Sequence, residues 1–516
     1  MKETKEGVVE WIGRKGTYLY IIIMLVIFPV YYTDGVFNLR TDKKNFFLFV
    51  TCLYLCIMFP MFIKSIIDWN KEQGRKWIRF KQVDIIFFII LLLALTISTI
   101  FALDSYKSFF EMQSRTISGM CFLGCIIIFF LIRKYGEYDG IVLWGWLAGS
   151  CIIYVFGILG ACGIDFMHIQ EGITEAGKYS HFTPLGNIDL NACYVCIMLP
   201  PIMVMYMICK EHFSQVLHGI NMYMGFMFVY FIKTDSAMIA MLAGIVLLLY
   251  FAVEKEVWFE RYLHISGIYL AAKITICLLR YIYREQAFPF YSLGGELLKS
   301  KWIFGEVGIY LLIIGIYKVK KDCIRESLLA VRKKVLGTGV VIGGCIVIGL
   351  IYVNVNKSSI SEESLWNHLV LKDETFSGRG FIWKRTVRSF INEPFWRKLF
   401  GNGLNCFDDF IISGEPIPLA YQGFNDPHNE FLQMLSDMGI LGVIGYFGLL
   451  LSTLIRALKT WKKNELQVAV ALTLCVYLIQ GIANEYSIFY LPLLCIFLGL
   501  ANGSMTKNQN NEVENS

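Results

Sequence analysis

The sequence predicts an all-α, polytopic integral membrane protein with about 12–14 transmembrane helices and one long extracytoplasmic loop that carries short helices. Two observations support this fold class. Hydrophobic residues make up 56% of the 516 residues, and charged residues only 17%, well below the quarter that is typical of soluble domains. Apolar runs of about 20 residues, enough to cross a bilayer, recur from one end of the chain to the other.

The apolar runs divide the chain into four parts. Residues 1–353 are the first part of a transmembrane bundle, residues 354–433 are a polar loop, residues 434–505 hold the last transmembrane helices, and residues 506–516 are expected to be a disordered cytoplasmic tail. Before the loop, helices are predicted at about 18–33, 46–67, 83–102, 116–132, 141–161, 188–209, 218–232, 236–253, 263–281, 303–317 and 335–353. After the loop, they are predicted near about 434–455, 466–482 and 487–503.

The distribution of basic residues predicts the orientation. Seven of them fall in the short segment 318–334: Lys318, Lys320, Lys321, Arg325, Arg332, Lys333 and Lys334. Short loops rich in Lys and Arg stay in the cytoplasm, so both termini are expected inside and the loop 354–433 outside the cytoplasmic (inner) membrane. The same placement argues against nucleic acid as a partner, although the net charge is +6.

The first half of the polar loop contains an amphipathic stretch. Between Phe381 and Asn392, apolar positions alternate with Lys384, Arg385 and Arg388, as in a helix that lies on the outer face. One interpretation is a basic interfacial helix attracted to anionic lipid headgroups. The other is a set of arginines that binds a phosphate, because guanidinium groups match phosphate oxygens.

Arg379 precedes this stretch and stands between Gly378 and Gly380. Glycine on both sides permits a close approach of the backbone to a ligand. Arg379 is therefore a candidate for binding an anionic group.

The second half of the loop carries Asp426-Pro427-His428-Asn429-Glu430. This order predicts a helix start, with Asp as N-cap and Pro in the first helical position. A helix N-terminus disfavours the protonated form of His428, and a neutral imidazole can accept a proton from a sugar hydroxyl. The alternative is a histidine that only hydrogen-bonds a nearby backbone group.

Two ionisable residues inside apolar runs are also informative. Asp189 lies near the start of a predicted membrane helix, where an acid is costly unless it is paired or wet, so it is expected to be functional or to face water. Lys273 is expected to extend its ammonium toward the membrane surface.

Several motifs occur in a fixed order in the last 150 or so residues and in one upstream segment. They are Phe376-Ser377-Gly378-Arg379-Gly380-Phe381-Ile382-Trp383, Pro394, Leu399-Phe400-Gly401-Asn402-Gly403, His428-Asn429-Glu430-Phe431-Leu432-Gln433, Gly439-Ile440-Leu441-Gly442 and, upstream, Thr183-Pro184-Leu185-Gly186-Asn187 through Asn191-Ala192. Together they resemble the O-antigen ligase/polymerase family of bacterial membrane glycosyltransferases.

The resemblance implies a reaction and site residues. Family members transfer a glycan from an undecaprenyl-pyrophosphate carrier to an acceptor hydroxyl outside the cytoplasmic membrane. Carried over, Arg379 binds the pyrophosphate and His428 acts on the acceptor. The supporting residues would be Arg385 and Arg388 at the pyrophosphate, with Asn429, Asn187 and Asn191 at the sugar or the histidine. No metal or other cofactor is expected.

The sequence departs from the family pattern at one point. Many relatives carry Ser-Arg at the outer end of a middle helix, where the arginine also serves the pyrophosphate. The corresponding turn here is Lys233-Thr234-Asp235-Ser236-Ala237, without the arginine. Lys233 or Arg284 is expected to take its place.

The function expected from these features is glycosyl transfer that builds a surface polysaccharide. Its partners would be the lipid-linked donor, a glycan or lipid acceptor, membrane lipid and other polysaccharide assembly proteins. Helix number alone also permits a flippase for lipid-linked oligosaccharide, although such transporters often show paired halves. A non-catalytic assembly scaffold is a third possibility.

Overall fold

The structure, a computed structural model, describes residues 8–71, 82–111, 116–283, 298, 300–355, 370–374, 378–412, 418 and 425–514. Within these residues the fold is all-α, with a single two-stranded β-hairpin. The predicted fold class is confirmed.

The helices before the outer loop run as follows. They are α1 (Val8–Ile22, continued by a π-helical turn Ile23–Ile27), α2 (Leu39–Lys71), α3 (Gln82–Ile100), α4 (Ser105–Phe110), α5 (Gly119–Tyr135), α6 (Gly140–Ala161), α7 (Glu175–Lys178), α8 (Ile188–Ile208), α9 (His212–Ile232), α10 (Asp235–Ala252), α11 (Glu256–Tyr283), α12 (Ser300–Val319) and α13 (Lys321–Val355). Strands β1 (His181–Thr183) and β2 (Gly186–Asn187) pair antiparallel just before α8.

The described residues of the loop and of the C-terminal part form six more helices. They are α14 (Arg379–Asn392), α15 (Phe395–Phe400), α16 (Phe407–Ile412), α17 (Glu430–Thr460), α18 (Leu466–Gln480, followed by a 3-10 turn Gly481–Ala483) and α19 (Leu491–Glu514). The amphipathic helix expected at 381–392 is thus present as α14.

Nine helices in the described part of the chain are long and apolar enough to cross a membrane: α2, α6, α8, α9, α10, α11, α12, α17 and α18. Shorter apolar helical stretches occur at Ile86–Ile100 in α3 and Leu491–Gly503 in α19. The protein is therefore a multi-pass membrane protein.

Several helices extend beyond their predicted ends. Helix α1 begins at Val8, α13 begins at Lys321 inside the basic segment, and α19 continues to Glu514 through most of the expected disordered tail. Hydropathy detects only the apolar part of a helix, whereas elongation of an existing helix adds one hydrogen bond per residue without a new nucleus.

The prediction for Lys273 was wrong. Its side chain on α11 is fully buried, and its ammonium lies 2.6 Å from both carboxylate oxygens of Glu306 on α12. A lysine within a membrane helix is stabilised by such a partner, so this ion pair joins α11 and α12.

Helix α8 forms the centre of the bundle. In its 18-residue apolar stretch 89% of the residues are buried, and the helix packs against α9, α10 and α18. An element enclosed on all sides has little freedom to shift. Its outer end, at Asn187 and Asp189, is consequently a fixed point for the site above it.

Helix α17 is broken at Gly439, whose backbone dihedrals (φ 67°, ψ −165°) are not helical. The carbonyl oxygens of Ser436 and Asp437, which precede the break, accept hydrogen bonds from the backbone N–H groups of Asn402 (2.9 Å) and Gly403 (3.0 Å). The outer loop is thereby joined to a membrane helix through backbone atoms.

Glycine is required on both sides of this junction. A Cβ atom on Gly401 would lie 2.3 Å from the carbonyl oxygen of Asp437, and one on Gly439 would lie 2.4 Å from that of Leu399. Both glycines also have φ values, +79° and +67°, that other residues adopt only with strain. This contact explains two of the glycine-containing motifs in the sequence.

We expect Gly401→Ala to destabilise the protein by about 2 kcal/mol or more, because it combines a backbone overlap with left-handed strain. Thermal unfolding of purified protein in detergent would measure the change. Gly140→Ala is a matched control, since a Cβ atom at that position meets nothing within 4 Å. Equal melting midpoints for the two variants would contradict the proposed junction.

Candidate active site

The candidate site lies where the polar loop meets the start of α8, the start of α17 and the end of α18. Three segments form it: the start of α14 at 378–383, the turn 425–429 before α17, and the connection 481–486 between α18 and α19. Each supplies side chains or carbonyl groups that contact the other two.

Arg379 is the first residue of α14, after Gly378 in a left-handed conformation (φ +89°). Its guanidinium donates to the carbonyl oxygen of Ala483 (2.7 Å) and to the carboxylate of Asp189 (3.3 Å). A guanidinium has five N–H donors, more than these two acceptors engage. Arg379 is therefore held in place and can still donate to an anionic ligand.

His428 stands between two buried carboxylates. Its Nδ1 lies 3.0 Å from an oxygen of Glu485 and 3.1 Å from one of Asp426, and these side chains are 1% and 2% exposed. The backbone N–H of His428 also donates to Asp426 (2.9 Å). His428 has a positive φ of 45°, a left-handed backbone conformation that residues other than glycine rarely adopt.

The environment of His428 favours its charged form. Burial alone would disfavour the imidazolium, but the carboxylates of Asp426 and Glu485 outweigh burial and the opposing charge of Arg379. The pKa of His428 is therefore raised above its usual 6.5.

The predicted helix start was wrong. Asn429, not Asp426, is the N-cap, and α17 begins at Glu430. His428 accordingly precedes the cap, and the expectation that a helix N-terminus keeps it neutral is wrong as well. Two nearby full charges outweigh a helix dipole of about half a charge.

Asn429 and Trp383 fix the turn that carries His428. The Asn429 carboxamide accepts from the backbone N–H of Leu432 (2.9 Å) and donates to the carbonyl oxygen of Ile482 (2.8 Å). The indole N–H of Trp383 donates to the carbonyl oxygen of Pro427 (2.8 Å). Asn429 therefore holds the turn that carries His428.

The segment Ile482–Glu485 is the common support of these side chains. Three of its residues hold these side chains: the carbonyl oxygen of Ile482 accepts from Asn429, that of Ala483 accepts from Arg379, and the carboxylate of Glu485 contacts His428. Two buried tyrosines hold the segment from below. The hydroxyl of Tyr490 donates to the carbonyl oxygen of Glu485, and that of Tyr486 donates to the carboxylate of Asp437.

Sequence reasoning missed Glu485. It is 57 residues from His428 and lies in a short turn between two apolar runs. A signal was present, because an acid bounded by membrane helices requires a partner. A search for ionisable residues in such turns would have found it, as it found Asp189.

Asn187 and Asn191 support the start of α8. Asn187 caps the helix by accepting from the N–H of Leu190 (3.2 Å). The buried carboxamide of Asn191 donates to the carbonyl oxygens of Asn187 (2.8 Å) and Gly186 (3.1 Å) and accepts from Thr183 (2.6 Å). These bonds orient the turn that carries Asp189.

The predicted cluster of arginines is not assembled. The guanidinium of Arg385 donates twice to the carbonyl oxygen of Ile411 (3.1 and 2.9 Å) and so binds α16 to α14. Arg388 is exposed and follows Arg379 by nine residues, about two and a half helical turns, which places it on the opposite face. The amphipathic pattern of the sequence did not show that Arg379 and Arg388 lie on different faces of α14.

Lys233 ends α9 in a left-handed conformation, and its ammonium lies 5.2 Å from the centre of the Tyr179 ring. Burial lowers the pKa of Lys233. The other proposed substitute for the missing arginine, Arg284, lies outside the described residues.

One group among the described residues could hold a metal ion. The donor atoms of Asp426, His428 and Glu485 all lie within 4.8 Å of one another, and carboxylate oxygens with an imidazole nitrogen are common metal donors. A protonated His428 also places positive charge between the two carboxylates. The geometry therefore fits either a metal ion or an imidazolium.

A family comparison covers the segment that contains Arg379 and His428. The chain is a multi-pass, all-α membrane protein, and its residues 297–447 match the family model described as O-Antigen ligase. The resemblance to the O-antigen ligase/polymerase family is thereby confirmed, and the matching segment includes Arg379 and His428. No curated protein matches the chain significantly.

The raised pKa of His428 predicts a pH-dependent stability. The imidazolium stabilises the fold fully below about pH 6.5, and this contribution is lost as the pH rises through the raised pKa. We expect the melting midpoint of the wild type to fall between about pH 6 and pH 9 more than that of His428→Gln. His212→Gln, at an exposed histidine on α9, is the control. Parallel curves for the wild type and His428→Gln would exclude the predicted charge.

Proposed function

We propose that this protein is a membrane glycosyltransferase that polymerises or ligates undecaprenyl-pyrophosphate-linked oligosaccharide at the outer face of the cytoplasmic membrane. One observation carries the proposal. Arg379 and His428 come from separate parts of the outer loop and are held by one short support, at Ala483 and Glu485. The O-antigen ligase match supports glycan ligation or polymerisation at the membrane in general.

The distance between the residues that hold Arg379 and His428 suits a displacement reaction. Asn484, between the two holding residues, has extended backbone dihedrals (φ −147°, ψ 165°), so Ala483 and Glu485 are about 6.6 Å apart along the chain. An arginine for the leaving diphosphate and a base for the attacking hydroxyl can then lie on opposite sides of one sugar carbon.

The reaction proceeds by a single displacement. The acceptor hydroxyl oxygen attacks C1 of the lipid-linked sugar, and the bond from C1 to the phosphate oxygen breaks with inversion at C1. The leaving undecaprenyl pyrophosphate takes the electron pair and is stabilised by Arg379. The hydroxyl proton passes to Nε2 of His428.

Glu485 and Asp426 prepare His428 for this step. A proton on Nδ1, directed at the Glu485 carboxylate, leaves the lone pair on Nε2 for the acceptor. When His428 takes up the second proton, both carboxylates stabilise the resulting imidazolium. Asn429 and Trp383 keep the ring oriented.

The outer location is part of the proposal. The seven basic residues of 318–334 support a cytoplasmic position for the start of α13, which leaves the loop after α13 on the opposite side and both termini in the cytoplasm. Lys233 at the end of α9 and Arg284 are proposed to add positive charge near the diphosphate. Asn187 and Asn191 act through the turn at Asp189.

Arg379→Ala and His428→Ala, each at wild-type levels in the membrane, are expected to lower glycan transfer at least about 100-fold, the usual cost of losing an acid–base or charge-stabilising group. The length distribution of the cell-surface glycan provides the measurement. Arg388→Ala, on the opposite face of α14, is the matched control and should retain most activity. Full-length polymer from the Arg379 and His428 variants would disprove their roles.

Glu485→Gln is expected to shift the acid limb of the kcat–pH profile to lower pH. A base must be neutral to act, and removal of one carboxylate charge lowers the pKa of His428. The profile should be measured with purified enzyme, using Glu171→Gln at an exposed acid as control. An unshifted limb would mean that His428 is not the titrating base.

Metal-independent transfer is also proposed, because Arg379 supplies positive charge at the diphosphate. Treatment with a chelator should therefore leave the rate of the purified enzyme unchanged. If activity is lost and then restored by one divalent ion, the group Asp426, His428 and Glu485 would hold that ion instead.

A further inference from the structure

Exposed aromatic side chains gather where the outer end of α3 meets α15. They are Phe101 (58% exposed), Tyr106 (66%), Phe110 (44%), Phe395 (75%) and Trp396 (41%), and we call this group the aromatic belt. The rings of Phe101 and Trp396 are 6.3 Å apart, and those of Tyr106 and Phe110 are 5.2 Å apart. Five large exposed rings in one region indicate a binding surface.

The position of the aromatic belt along the membrane normal follows from α3. The apolar stretch of α3, which is shorter than the nine candidate spans, ends at Ile100, so Phe101 lies at the end of an apolar helical surface. The N–H of Leu103 donates to the carbonyl oxygen of Asn402 (2.9 Å), which fixes the loop to this level. The aromatic belt therefore lies where hydrocarbon gives way to headgroups, the depth at which Trp and Tyr concentrate in membrane proteins.

Basic side chains border the aromatic belt. Helix α15 contains Arg397 and Lys398 and no acid, and the Arg397 guanidinium lies 4.9 Å from the centre of the Trp396 ring. Arg388 is exposed on the neighbouring α14. Basic groups beside exposed aromatic rings are typical of segments that rest on anionic lipid.

An apolar stripe on α14 continues the surface. Val387 (42% exposed) and Ile391 (62%) are four residues apart, hence on one face of the helix, and the stripe leads to Phe395. By helical geometry this face lies about 80–120° around α14 from Arg379. Helix α14 can then contact lipid and the candidate site at the same time.

We propose that the aromatic belt and the stripe Val387–Ile391 seat the outer loop module, residues 378–412, in the headgroup layer of an anionic membrane. The occupant of the surface is phospholipid. The rings enter the boundary of the acyl chains, and Arg388, Arg397 and Lys398 face lipid phosphates. This seating holds Arg379 at the level where a lipid-linked diphosphate would lie, and it does not depend on the transfer reaction.

The test replaces Phe395 by a genetically encoded fluorescent coumarin amino acid in the full chain, reconstituted in phosphatidylglycerol vesicles. Phospholipids brominated near the headgroup end of their acyl chains quench probes at that depth. We expect at least about twofold quenching at position 395. The same probe at Glu171, an exposed acid outside the module, should stay unquenched and serves as the matched control.

A second arm examines the charges. In phosphatidylcholine vesicles the quenching at position 395 should fall, because neutral lipid gives the basic residues no anionic partner beyond the headgroup dipole. Equal quenching at positions 395 and 171 would overturn the proposal. A probe at 395 that is unquenched in vesicles but shielded in native membranes would also overturn it and would indicate a protein partner.

Discussion

The break in α17 at Gly439 is the constraint on which the site depends. Because the helix is interrupted there, backbone carbonyls of Ser436 and Asp437 accept the N–H groups of Asn402 and Gly403, and the outer loop becomes continuous with the bundle. The carboxylate of Asp437 receives the hydroxyl of Tyr486, next to Glu485. One turn of helix therefore positions both the loop and the support of His428.

His428 shows how opposing forces are balanced at the site. Burial favours a neutral ring, while two carboxylates favour an imidazolium and prevail. In the proposed reaction this is useful, because a higher pKa makes His428 a stronger base toward the acceptor hydroxyl that attacks C1. In the proposed reaction, Arg379, held on Asp189 and Ala483, provides the complementary charge for the anionic leaving group.

Much of the fold, and part of the site, could be predicted from the sequence. Apolar runs revealed the membrane class, and amphipathic spacing revealed α14, because both depend on local periodicity. Arg379 and His428 were found through motifs. Glu485 was not, since its role arises from a contact across 57 residues. The start of α17 was misplaced because Asp426 and Pro427 fit a capping pattern locally, whereas Asn429 is held by the distant Ile482.

The most direct test of the account uses the purified wild-type chain in vesicles that contain lipid-linked repeat units. Separation of the products by length, together with an assay for lipid in each leaflet, distinguishes the possible activities. The account predicts elongated or transferred glycan and released undecaprenyl pyrophosphate. Unaltered lipid-linked repeats that have changed leaflet would contradict it and would indicate a flippase.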